Sequence, residues 1–153
     1  MITSKLKYAL KALIILANEQ ANDDQCLRIE EIAKRGDVPK RFLEHILLDI
    51  RNAGMIASIR GRSGGYRLAK APTEVQFSEL MRLIDGPLAP LQCLSRRSYQ
   101  KCDDCQNEKT CTIRKVFGEV FWSYLLLIDS LTLKDFLTDD LTIEQIVSQK
   151  ANS

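Results

Sequence analysis

The sequence predicts a mainly α-helical chain interrupted by one small β-hairpin. Three observations predict it. Apolar residues recur at three- and four-residue spacing along most of the 153 positions. One short stretch, residues 55–69, instead alternates around a glycine-rich turn. A long apolar-rich stretch at 112–131 asks for a single extended helix. A hydrophobic share of 45% with 27% charged residues is ordinary for a globular domain of this length, alone or with an appended arm. The longest uncharged apolar run, residues 124–128, is far below the ~20 residues that span a bilayer. The first eight residues carry Lys5 and Lys7 within their apolar stretch and no small-residue cleavage site, so a cytoplasmic chain is expected, with no membrane partner.

The elements follow in order. Thr3 or Ser4 caps a first helix that runs to about Asn18, with Leu6, Leu10, Leu13 and Ala17 at helical spacing. Beyond a polar loop at 22–25, a short helix covers 29–35, acidic at its start (Glu30, Glu31) and basic at its end (Lys34, Arg35) as the helix dipole prefers. Gly36 is expected to supply the left-handed residue that stops it. Pro39 opens a second helix whose apolar face is Phe42, Leu43, Ile46, Leu47 and Ile50. Only Gly36, Asp37 and Val38 separate the two, which is the helix-turn-helix arrangement. Residues 55–60 and 66–69 read as paired strands around the turn at 61–65. A helix-turn-helix followed at once by a basic hairpin is a winged helix. Ser78 is expected to cap a helix over 79–85 that Gly86 and Pro87 break, and 88–111 lacks a period and reads as a loop. The long helix at 112–131 and two short terminal helices complete the chain. The predicted units are a winged-helix domain at 1–87, a cysteine-bearing loop at 88–111, and a dimerisation helix with C-terminal helices at 112–153.

Net charge is only +2, but residues 1–72 hold thirteen Lys/Arg against eight Asp/Glu, while the remainder is mildly acidic. A basic front half suits a polyanion, and the order of elements specifies double-stranded DNA. The start of the second helix of the pair presents Lys40, Arg41, Glu44 and His45, the positions that reach base edges in the major groove. Lys40 and Arg41 suit phosphate or guanine, and Glu44 suits the amino group of cytosine. Arg60, Arg62, Ser63 and Arg67 lace the hairpin around Gly61, Gly64 and Gly65, a tip that can place arginine in a minor groove. The glycine run is no phosphate-binding loop, because no Lys-Ser/Thr ending follows and a strand comes next. No base–nucleophile pair is legible, so no enzyme is expected.

Four of the five cysteines, Cys93, Cys102, Cys105 and Cys111, fall within nineteen residues. Such crowding marks a metal or redox site rather than scattered core thiols. Soft thiolates on one flexible loop suit an iron–sulfur cluster. Zinc competes, although structural zinc usually takes two short knuckles and only Cys102 and Cys105 form one. A redox pair at those two positions is disfavoured by the intervening Asp103 and Asp104, which oppose the thiolate. Cys26 stands apart before Leu27 and reads as structural.

Several segments carry a family resemblance: Lys7, Tyr8, Ala9 and Leu10; residues 29–33; Phe42, Leu43 and Glu44; residues 48–56; and above all the wing pattern R-G-x-x-G-G-Y at 60–66. Over about residues 1–137 the chain resembles the Rrf2 family of bacterial regulators. The resemblance implies a homodimeric winged-helix transcription regulator, paired through the helix at 112–131. It also implies an iron–sulfur cluster on the loop before that helix, although some members have lost it. Family loops carry three cysteines, the last two separated by five residues, and Cys93, Cys105 and Cys111 match that scheme with a longer first gap. The fourth ligand in the family is a histidine three residues after the last cysteine or an acidic residue near the N-terminus. Here Arg114 holds the first place and no acid precedes Glu19. Cys102 is extra and becomes the expected fourth ligand, with a 2Fe–2S cluster expected and 4Fe–4S the alternative. Arg96, Arg97 and Lys101 are expected to offset its negative charge. The resulting expectation is a DNA-binding regulator sensing iron–sulfur, redox or nitric oxide status. Its alternative is a cluster-less or zinc-stabilised regulator controlled by a partner protein or by thiol oxidation.

Overall fold

Helix α1 (Ser4–Asn22) starts where expected, with the Thr3 hydroxyl accepting the Leu6 N–H at 3.1 Å. The computed structural model describes residues 2–138 and 142–151. Met1, 139–141 and 152–153, which belong to the predicted terminal units, lie outside the described residues. Leu6, Leu13 and Leu16 are fully buried, and α1 packs against α2 (Ile29–Gly36), α3 (Lys40–Asn52) and α4 (Phe77–Asp85). It runs a turn beyond the expected Asn18 because tertiary partners hold that turn. Glu19 pairs with Arg35 at 2.6 Å, and the Gln20 side chain accepts the Leu68 N–H at 2.6 Å.

Three local expectations are corrected. Asp37, at φ +49°, is the left-handed residue ending α2, whereas Gly36 stays helical and buried. Glycine matters there for space: a Cβ would press on Ile15 and Val38 at 3.2 and 3.3 Å. Pro39 precedes α3 with an extended ψ of 126° rather than forming its first residue. Ser78 does not cap α4 but is buried inside it. The Leu131 carbonyl takes the Phe77 N–H at 2.9 Å, so a tertiary bond does the work of a cap.

Strands β1 (Ile56–Ile59) and β2 (Gly65–Leu68) pair antiparallel, Ile56 opposite Leu68 and Ile59 opposite Gly65. Leu27 extends the pair through reciprocal bonds with Tyr66 at 3.0 and 2.7 Å. That close approach demands Gly65, whose φ is +146° and where a Cβ would strike the Leu27 carbonyl.

The loop after α4 includes a 3-10 turn (Gln92–Leu94) and leads to α5 (Thr112–Ser130). Two cores result. The main one joins α1 to α4 with the hairpin and also takes Ile128 and Leu133 from the later chain. The smaller one sets Phe121 against Cys93 and Leu94. After α5 the chain returns to α4: the Leu133 N–H donates to Val75 O at 2.9 Å, and the Phe77 and Phe136 rings lie 4.9 Å apart. The first of the two expected terminal helices is therefore only a 3-10 turn (Leu133–Leu137), closed by Thr132 and Asp135. The second is α6 (Ile143–Ala151). Among the described residues, no helix is long and apolar enough to cross a membrane.

Candidate DNA-reading surface and cysteine loop

Helix α3 separates its faces cleanly. Leu43, Ile46, Leu47 and Ile50 are buried against α1 and α2, which leaves Arg41, Glu44, His45 and Leu48 as one exposed stripe at helical spacing. Phe42 was expected in the buried face but is 45% exposed, because the seam at 43, 46, 47 and 50 leaves it at the edge. There it lies beside Tyr8, ring centroids 6.2 Å apart, and beneath the Arg41 guanidinium at 4.8 Å. This stacking holds Arg41 at the start of the helix. Lys40 is also exposed, but its ammonium donates to Glu30 at 2.7 Å. The hydrogen bond lowers the Glu30 pKa and raises that of Lys40. That bond occupies one of the three N–H donors of the Lys40 ammonium.

At the wing, Arg60, Arg62 and Ser63 are exposed around the tip, and neither arginine has a carboxylate partner among the described residues. Arg67 differs. Its guanidinium turns back to Asp24 at 3.0 Å, away from the tip. Sequence reasoning missed Arg28, which precedes α2 and donates to the Arg62 carbonyl at 3.1 Å. Leu48 was also missed, since a leucine in an amphipathic helix is ordinarily assigned to the core. Its place one turn after Glu44 was the available signal.

The cysteine loop sets its four thiols near enough to act on one another, Cys102 with Cys93 and Cys105, and Cys105 with Cys111. The Cys93 contact, with desolvation and nearby negative charge, pushes the Cys102 thiol up; desolvation and Cys111 do the same to Cys105. Among the described residues, no three metal-ligating side chains converge on one point. Cys93 is buried beneath Phe121, while the Cys111 sulfur caps α5 by accepting the Arg114 N–H at 3.4 Å. Arg114 reaches the Cys93 carbonyl at 3.4 Å, and its buried Nε has no partner among the described residues. Tyr99 spans the loop by donating to Glu108 at 2.8 Å. Arg96 and Arg97, expected near the cluster, instead border a cavity beside Trp122, whereas Lys101 acts on Cys105 to favour its thiolate. Four soft thiol donors on one loop, with the buried Arg114 N–H beside them, fit an iron–sulfur group in chemistry.

Helix α5 carries an exposed apolar flank. Ile113, Val116, Phe117, Val120, Tyr124 and Leu127 are exposed along one side. Phe121, Trp122 and Leu125 pack against the chain's own loop.

A recognition helix set on a two-helix support, with an arginine-bearing hairpin at its side, defines a winged-helix DNA-binding regulator. The family model for Rrf2, described as an iron-dependent transcriptional regulator, matches residues 2–139, and the chain belongs to this family. An rrf2-like HTH-type transcriptional regulator of Rhodobacter capsulatus is 70% identical over 138 residues, covering 90% of this chain and 92% of that protein. The structure of CymR, the global cysteine regulator of Bacillus subtilis, superposes with a TM-score of 0.71 at 27% identity, covering 91% of this chain and 98% of that one. The structure of T. potens IscR gives 0.69 at 25% identity, covering 91% and 87%. Membership makes the chain a transcription regulator and not an enzyme.

Proposed function

We propose that this regulator senses iron–sulfur, redox or nitric oxide status through a cluster held by Cys93, Cys102, Cys105 and Cys111. The observation that carries it is four thiols on one loop that act on one another, beside Arg114, whose buried Nε has no partner among the described residues. A bound cluster would supply reversible electron transfer and reactivity toward small oxidants; four thiolates suit 2Fe–2S and 4Fe–4S alike, and the 2Fe–2S form is the one proposed. Ligation would draw the four thiols together. Cys111 caps α5 and Cys93 sits beneath Phe121, so closing or releasing the loop changes how α5 meets the winged helix.

Residues 1–87 act as the DNA-reading unit, 88–111 as the sensing loop and 112–153 as the dimerising unit. Lys40, Arg41, Glu44 and His45 face the major groove. Arg60, Arg62 and Ser63 hold the flanking backbone or minor groove. Arg67 serves mainly to brace the wing, given its bond to Asp24. Two copies pair through the exposed flank of α5, and the protein works in the cytoplasm on a double-stranded operator. The nearness of Cys102 to Cys93 and of Cys105 to Cys111 favours one second reading, a cluster-less or zinc-stabilised regulator controlled by thiol oxidation or a partner protein.

Anaerobic purification tests the proposal. A cluster protein shows visible sulfur-to-iron absorption, and Cys102→Ala reshapes it far more than Cys26→Ala does. Equal spectra for the two variants remove Cys102 from the site, and a colourless anaerobic protein leaves the thiol reading. Loaded and metal-free forms should differ in operator affinity; equal affinities end the cluster's role as the switch.

A further inference from the structure

A half-open cavity of about 460 Å³ lies where the end of α4, the loop at 86–98 and the flank of α5 meet. It is separate from the DNA-reading surface and is large enough for a small organic molecule, since ligand pockets run from ~300 to 1,000 Å³. Leu88, Leu94, Phe121 and Leu125 give it an apolar wall. Arg82, Arg96 and Arg97 border it, against the single acid Asp129 among its described lining residues. Asp129 is engaged by Arg82 across the α4–α5 junction at 3.5 Å. Arg96 and Arg97 have no carboxylate partner among the described residues, and the Arg96 guanidinium rests over the Trp122 ring at 4.5 Å.

We propose that this cavity is an effector site for a small organic carboxylate with an aromatic or alkyl body. The apolar wall takes the body, while Arg97 and Arg96 take the carboxylate in paired N–H to oxygen bonds. Neutral molecules of the same shape leave both guanidiniums unmatched. Helical geometry keeps the site open in a dimer: at about 100° per residue, its flank of α5 lies well over 90° around from the exposed apolar flank. Occupancy acts on DNA binding because the cavity wall includes Arg82 of α4, and α4 packs on α3. The site shares the loop with the cysteines but requires no cluster.

Trp122 is the only tryptophan, so its emission reports binding directly. The metal-free 153-residue chain is titrated with phenylacetate and with octanoate, and with phenylacetamide as the neutral match. At least one acid should give a saturable change, with the amide binding about tenfold more weakly. Arg97→Gln, at an exposed position that leaves the fold intact, should weaken the acid by about tenfold. Ala89→Phe, which fills the cavity, should abolish the response in a chain whose circular dichroism is unchanged. No saturation by either acid, equal binding of acid and amide, or indifference to both substitutions overturns the site. A saturating acid that leaves operator affinity unchanged overturns its role as an effector site.

Discussion

Val120→Asp tests the proposed dimer through the centre of the α5 flank. Val120 is 65% exposed in the protomer, so a carboxylate there costs the isolated chain little. Six large apolar residues at roughly half exposure, each near 200 Å² in full, present about 600 Å² per protomer. That approaches the ~800 Å² each partner gives to a standard interface. Two-fold symmetry places both carboxylates in the buried patch. At about 3 kcal/mol for each unpaired buried charge, the dimer loses about 6 kcal/mol, roughly ten-thousand-fold in dissociation constant. Analytical ultracentrifugation across a concentration series reads the change, with circular dichroism confirming the helices. Operator binding should weaken in parallel, because two linked half-sites reinforce each other. A folded Val120→Asp chain that sediments as a dimer at the original concentrations refutes the assignment. Phe121→Asp is the wrong probe, since Phe121 is buried against the chain's own Cys93 and Leu94 and its loss disrupts the protomer.

Arg62→Ala should lower the slope of log affinity against log salt by about one unit, and filter or fluorescence binding at several salt concentrations measures it. Glu30→Gln should act oppositely: it frees the Lys40 ammonium and raises non-specific affinity, and an unchanged salt slope would show that Lys40 stays off the DNA. Gly65→Ala should cost about 2 kcal/mol or more, through positive φ and collision with Leu27, seen as a lower thermal midpoint. In metal-free protein, Cys102 and Cys105 have raised thiol pKa values, so their thiolates form only at higher pH. Iodoacetamide should modify both at pH 8 more slowly than a peptide thiol, with the gap closing as pH rises; mass spectrometry of the modified peptides measures this.

The sequence by itself determined the elements whose cause is local. Apolar spacing set α1 and the long helix, the three-residue turn set the α2–α3 pair, and the glycine-rich stretch set the hairpin. Motif order and the R-G-x-x-G-G-Y wing were enough to place the chain in its family. Tertiary structure alone decided matters that depend on what lies across the fold. The Leu131 carbonyl starts α4 one residue before the serine that looked like its cap, and the crowding of Ile15 and Val38 keeps Gly36 inside α2. Spacing also placed Phe121 and Val120 on one apolar helix, but only packing turned the first toward the cysteine loop and the second outward. The same holds for charge: Lys40, Arg62 and Arg67 look alike in sequence, yet Glu30 and Asp24 occupy two of them and leave the wing tip free. Local spacing constrains which face of an element a side chain occupies; which neighbour meets that face depends on contacts between residues far apart in the chain.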